Sequence, residues 1–188
     1  MKKIIILASG SGTNAERIIS YFDQKQTAEV SLILTNNPQA GVLQRAKRLQ
    51  IPSLVFDRMA FYQTDIVLNI IQNLQPDLIV LAGFLWKFPE NILNHYQGGI
   101  VNIHPALLPK FGGKGMYGMH VHQKVIEQKE TQSGITIHHV NENYDEGAII
   151  FQAQTQVSEQ DTPETLAEKI HRLEYEHFPK VIEELLGL

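Results

Sequence analysis

"KKIIILASGSGTNAERIISYF", residues 2–22, decides how the rest of the chain is read. A β-branched apolar run is cut off by two glycines. Apolar residues then recur at helical spacing at Ala15, Ile18, Ile19 and Phe22. The first part reads as a fully buried strand, the last as an amphipathic helix, and the glycines as the turn between them. Gly10, Gly12 and Ala15 fit G-x-G-x-x-[G/A], the pattern of a turn whose backbone N–H groups approach a ligand at a helix N-terminus. Ser11, Thr13 and Asn14 add side-chain donors. A nicotinamide dinucleotide would require an acid at the end of the second strand. That strand ends Thr35-Asn36-Asn37, and no Gly-Lys-Ser/Thr follows the turn. A small phosphorylated molecule fits better.

The alternation continues outward from this unit. Strands are expected at 28–36, 52–56, 77–83 and 99–104, with helices at 40–49, 60–74 and 89–96. Such alternation means βαβ units and a mainly parallel sheet. After residue 105 the pattern changes to a loop of about a dozen residues and a helix at 119–129. Two strands with no helix between them follow, "SGITIHHV" and "GAIIFQAQTQV". The expected fold is α/β, a Rossmann-like open sheet with helices on both faces and antiparallel strands added in the C-terminal part. A closing helix starts at Thr162 as N-cap and Pro163 at its first position, with a disturbance expected near Pro179.

The 188 residues favour one domain, 1–188, able to bury roughly 70% of its unfolded surface. The chain has no cysteine, which excludes disulfides and thiolate chemistry. A net charge of −4 offers no general basic face for nucleic acid. The apolar stretch Ile4–Ala8 is too short for a signal peptide, and no stretch approaches a membrane span. A cytoplasmic protein, monomer or homodimer, is expected.

The chemistry is expected at the end of the fifth strand, in "GIVNIHPALLPKF". Asn102 and His104 are two apart, so on a strand they face the same side. They fall at the carboxyl end, where open α/β sheets bind ligands. An amide and an imidazole there can hold a developing oxyanion and move a proton. An acid would orient the imidazole, and "NENYDEG" offers Glu142, Asp145 and Glu146, among which spacing does not choose. His120 and His122 resemble a metal pair but lack an evident third ligand, and read as structural or pocket-lining. Of the adjacent His138 and His139 only one faces the site, and strand order favours His138. Lys110 and Lys114, in the glycine loop, suit an anion or plain solvation. His171 and Glu174 lie one helical turn apart.

Four segments, "ASGSGTN", "DLIVLAGF", "NIHPALLPKF" and "NENYDEGAII", resemble in that order the phosphoribosylglycinamide formyltransferases of purine synthesis, and the resemblance spans essentially the whole chain. It implies transfer of the formyl group of 10-formyltetrahydrofolate to the amine of glycinamide ribonucleotide, with no metal. It implies a ribonucleotide-binding N-terminal half and a folate-binding, catalytic C-terminal half. Asn102, His104 and Asp145 would be catalytic. Gly12, Thr13, Asn14, His171 and Glu174 would hold the phosphate and ribonucleotide. Leu85, Trp86, Lys87, Phe88, Asn102, Val140, Asn141 and Tyr144 would enclose the folate. Two departures are visible. The loop from Lys110 to His122 is longer than in compact bacterial members, and Trp86-Lys87 stands where many relatives carry an arginine. A relative that formylates methionyl-tRNA carries a further C-terminal domain, and a deformylase a preceding regulatory one; neither is expected here. A sugar-nucleotide N-formyltransferase would use the same trio, and a non-catalytic nucleotide-binding module only the glycine turn.

Overall fold

The computed structural model describes residues 1–188. Seven strands form one sheet: β1 (Lys2–Leu7), β2 (Ala28–Thr35), β3 (Ser53–Val55), β4 (Leu78–Leu81), β5 (Gly99–His104), β6 (Gln132–His139) and β7 (Ile149–Gln156). Their order across the sheet is β3-β2-β1-β4-β5-β6-β7. The first five are parallel, β6 runs antiparallel to β5 and β7 antiparallel to β6, as the sequence leads one to expect.

β1 lies at the centre of the five parallel strands because both its faces are apolar. Ile4 and Ile6 join one core and Ile5 and Leu7 the other, all fully buried. The first core is closed by α1 (Thr13–Lys25), α2 (Gly41–Arg48), α6 (Met119–Glu127) and α7 (Pro163–Leu185), through Phe22, Val42, Val125, Ile170 and Phe178 among others. The second is closed by α3 (Arg58–Tyr62), α4 (Ile66–Leu74) and α5 (Glu90–His95), through Phe61, Ile71 and Ile92. Chain order reverses between β1, which leads outward to β2, and β4. The crevice beyond their carboxyl ends is where such sheets bind ligands.

Two expectations are corrected. The single helix over 60–74 is two helices. Asp57 caps the first by accepting from the Ala60 N–H at 2.8 Å, and the Thr64 hydroxyl then competes for the Met59 and Ala60 carbonyls. Local side-chain bonding of this kind ends the helix before Asp65 starts the next. The closing helix, by contrast, runs through Pro179 without interruption. Pro179 is buried among Phe178, Val181 and Ile182, and packing of α7 against α1, β6 and β7 outweighs the missing N–H. Its start follows the expected signal: Thr162 Oγ1 accepts from the Thr165 N–H, and Thr165 Oγ1 from the Thr162 N–H.

Candidate active site

The turn after β1 closes on Gly12, whose φ of 78° places it in the left-handed region and whose missing Cβ makes room for the Val42 side chain. Beside it, the Ser9 hydroxyl donates to Asn36 Oδ1 at 2.6 Å and accepts from the Leu85 N–H at 3.0 Å. One side chain thus ties together the loops after β1, β2 and β4. A cavity of about 620 Å³ opens here and reaches across the ends of β1, β4 and β5 to the loops of the C-terminal part.

At the near end of this cavity lie Gly12, Thr13, Asn14, His171 and Glu174, the five residues assigned to a phosphorylated ligand. Asn14 donates from Nδ2 to Glu174 Oε2 at 2.9 Å, and its own Oδ1 is buried without a partner. Burial pushes the Glu174 carboxyl up to about 7, against the opposing effect of the Asn14 bond. His122, on the same wall, is pocket-lining, one of the two roles its sequence position allows: it is buried, lines the cavity and leaves Nδ1 unpartnered. Burial, with smaller effects of His171 and His104, lowers its pKa to about 4. His120, its neighbour in the motif, is exposed.

At the far end the structure brings Asn102, His104 and Asp145 together. Asp145 Oδ2 lies 3.5 Å from His104 Nδ1, and Asp145 Oδ1 lies 3.4 Å from Asn102 Nδ2. Of the three acids the sequence offered, Asp145 alone lines the cavity. The glycine loop folds over this trio. His104 Nε2–H donates to the Phe111 carbonyl at 2.7 Å, and the Gly113 N–H donates to Asp145 Oδ2 at 2.9 Å. Burial lowers the His104 pKa, outweighing the Asp145 carboxylate, which raises it. Burial alone would raise Asp145, but the hydrogen bond from His138, the His104 ring and the Gly113 N–H together hold it below the usual carboxylate value. At neutral pH the pair therefore rests as a neutral imidazole beside an ionised carboxylate.

The residues assigned to the folate divide between spaces. Leu85 and Tyr144 line the main cavity together with Asn102. Trp86, Lys87, Phe88, Val140 and Asn141 surround an adjoining cavity of about 50 Å³, which shares Asn102, Tyr144 and Asp145 with the larger one. Phe88 is also a core residue, edge-on to Phe61 at 5.8 Å, and Trp86 lies under the Arg58 guanidinium.

A family model described as formyl transferase matches residues 2–182. The chain belongs to the formyl transferase family. Among relatives of this formyl transferase, the phosphoribosylglycinamide formyltransferase of Bacillus subtilis (strain 168) is 37% identical over all of the chain and 96% of the relative. That of Haemophilus influenzae is also 37% identical, over 97% of the chain and 86% of the relative. The crystal structure of phosphoribosylglycinamide formyltransferase from Bacillus halodurans is 38% identical, covers 98% of this chain and 95% of its own, and superposes with a TM-score of 0.88.

One side chain at the adjoining cavity carries no role in the sequence reading: strand order favours His138 over His139 and says no more. His138 is buried against Asn102 and Asp145, its Nε2 lying 3.1 Å from Asn102 Nδ2 and 3.6 Å from Asp145 Oδ1. No helix of the chain is long and apolar enough to cross a membrane.

Proposed function

We propose that this formyl transferase moves the formyl group of 10-formyltetrahydrofolate to the primary amine of glycinamide ribonucleotide, with Asn102, His104 and Asp145 as its catalytic residues. The observation that carries this reading is the meeting of His104 and Asp145 at 3.5 Å on the wall of a cavity whose other end is the glycine turn. The family and the names of its relatives support this reaction, and the geometry supports this cavity as its site.

Gly12, Thr13 and Asn14 bind the phosphate through N–H groups at the α1 N-terminus, where the helix dipole favours an anion. His171 and Glu174 close on the ribose. The folate enters beside Leu85 and Tyr144, its ring directed at the adjoining cavity between Trp86, Phe88 and Val140. These flat apolar walls, edged by Asn141 and Asp145, suit a heteroaromatic ring with polar edges. As it stands the adjoining cavity is too small for a whole pterin, so the 141–145 loop moves outward on binding.

His104 starts neutral. When the amine attacks the formyl carbon, its nitrogen gains positive charge and the carbonyl oxygen negative charge. The bare Nδ1 of His104 takes the proton from nitrogen, directly or through one water, and Asp145 stabilises the resulting imidazolium. His104 then returns the proton to N10 as the C–N10 bond breaks. Holding two substrates in one orientation supplies as much as ~7–11 kcal/mol of such a barrier, so the two-ended cavity is itself a large part of catalysis. The protein's half-division, ribonucleotide toward α1 and α7 and folate toward the β4 and β6 loops, belongs to the same proposal.

Purified protein given 10-formyltetrahydrofolate and glycinamide ribonucleotide should release tetrahydrofolate, followed by absorbance. No release, or much faster formylation of a sugar-nucleotide amine, overturns the substrate assignment.

A further inference from the structure

A phosphate entering the cavity meets walls with little positive charge. A phosphomonoester carries about 1.5–2 negative charges at pH 7. The walls already hold the ionised Asp145 and a Glu174 carboxyl whose pKa of about 7 leaves it partly charged. The three wall histidines, His104, His122 and His171, are all held below the ordinary imidazole value, chiefly by burial, so none of them supplies a lasting cation at neutral pH. The arginines behind the glycine turn are engaged. Arg45 and Arg48 both pair with Glu16, and Arg45 Nε–H donates to the Ser11 carbonyl at 2.8 Å.

Lys114 is the only lysine or arginine that lines the cavity. Lys110, at the start of the same loop, pairs with Glu130 at 2.9 Å, whereas Lys114 makes no ion pair. The loop is tied at both ends. The Gly113 N–H holds Asp145 Oδ2 at 2.9 Å, and Gly118 caps α6, whose first turn leads to His122 on the near wall. The Met116 N–H donates to the Gly113 carbonyl at 3.1 Å and closes a four-residue turn. Lys114 stands second in that turn, between Gly113 and Gly115 with φ of 93° and 87°. Such angles suit glycine, so the turn sets one long side chain between two residues that have none.

The folate side has cations of its own: Lys87 lines the adjoining cavity, and the Arg58 guanidinium lies over Trp86. At the glycine turn no side chain caps α1 at Gly12, which leaves its N–H groups for a ligand but adds no full charge.

We propose that Lys114 is a specificity-determining residue for the ribonucleotide: its ammonium pairs with the phosphate held at the turn after β1, and so the site tells a phosphorylated acceptor from the same molecule without its phosphate. This rests on the formyl-transfer reading above and adds a contact to it. The four-carbon stem lets the loop stay on Asp145 while the ammonium turns toward the phosphate. Inside a walled cavity that attraction is screened less than on an open surface.

Calorimetric titration of ligand-free protein with ribose 5-phosphate gives the first arm of the test. Lys114→Ala should bind it about ten-fold or more weakly than wild type, the usual worth of a charge-assisted hydrogen bond, and Lys114→Arg within about three-fold. No binding by wild type, or equal affinity in Lys114→Ala, overturns the proposal. This arm needs no formyl transfer. Steady-state kinetics give the second. In Lys114→Ala, kcat/KM with glycinamide ribonucleotide should fall about ten times further than kcat/KM with the dephosphorylated riboside, because a loop merely disturbed would slow both alike. Equal falls, or a raised KM for the folate alone, overturn the proposal. Wild-type enzyme inactive with glycinamide ribonucleotide, but with ribose 5-phosphate binding as stated, overturns the substrate assignment alone.

Discussion

Asn14 and Glu174 stand 160 residues apart in the chain and share a hydrogen bond of 2.9 Å inside the cavity. The bond joins the first helix to the last and fixes the end of the site that faces the glycine turn. It also keeps a carboxyl out of water. A raised carboxyl pKa means that the folded state binds more protons than the unfolded one between the ordinary value of 4.5 and about 7. Stability therefore falls as pH rises through that window, and the whole penalty is present above it. Glu174→Gln keeps an acceptor for Asn14 and removes the charge. In urea unfolding the variant should match wild type near pH 5 and be more stable at pH 8, by about 1–3 kcal/mol. Equal stability at both pH values would mean that Glu174 is not buried as described.

His104 and Asp145 make a prediction of opposite sign for activity. If neutral His104 accepts the amine proton, kcat/KM rises with pH as the free ring loses its proton. The carboxylate of Asp145 raises that pKa. Asp145→Asn removes the charge, so the acid limb of the pH–rate profile should move to lower pH while the plateau drops. His104→Ala should lower the plateau by roughly 10²–10⁴, the usual contribution of a positioned acid–base group. Profiles of kcat/KM between pH 5 and 9 check both. An acid limb that stays in place in Asp145→Asn would remove the acid from its role.

Gly147 explains the last residue of the Asp-Glu-Gly turn. A Cβ at this position would overlap the His139 carbonyl oxygen, the same oxygen that accepts from His138 Nδ1. Gly147→Ala must push β7 away from β6 at their shared irregularity. Forced crowding of this kind costs typically about 1–3 kcal/mol. At about 2–4 °C per kcal/mol for a chain of this size, thermal unfolding should fall by several degrees. Turnover should fall further than stability accounts for, because the His138 ring, which lies against Asn102 and Asp145, is displaced.

Local sequence carries the parallel half of this fold well. The run before Gly10 is buried on both faces, the glycine turn needs its φ of 78°, and Asn102 and His104 share a face because a strand alternates. Where local competition decides, reading fails. Thr64 takes helix carbonyls that apolar spacing assigns to one continuous helix, and Pro179 is overruled by packing that spacing does not describe. At the site, residue types were legible and their state was not. An imidazole beside an acid reads as charged, yet the depth of burial that makes His104 neutral is set by Phe111 and the loop folded over it. The aim of His138 depends on a register shift against β7, which no pattern within β6 announces.

His122 gives the last test, on acid stability. Its ring is buried with Nδ1 unpartnered, and burial holds its pKa at about 4, below the ordinary 6.5. Between those values the unfolded chain binds a proton that the folded protein does not, so stability is lost as pH falls from 6.5 toward 4. His122→Leu keeps a side chain of apolar body in the same wall and removes the titration. Leaving out an unpaired buried nitrogen costs little at neutral pH, since no hydrogen bond within the protein is broken. In urea unfolding at pH 7.5 and pH 5, the variant should therefore be near wild type at the higher pH and lose less stability on acidification. If His122→Leu instead loses several kcal/mol at pH 7.5 while its acid sensitivity is unchanged, Nδ1 has a partner in solution and the ring is a structural element of the wall.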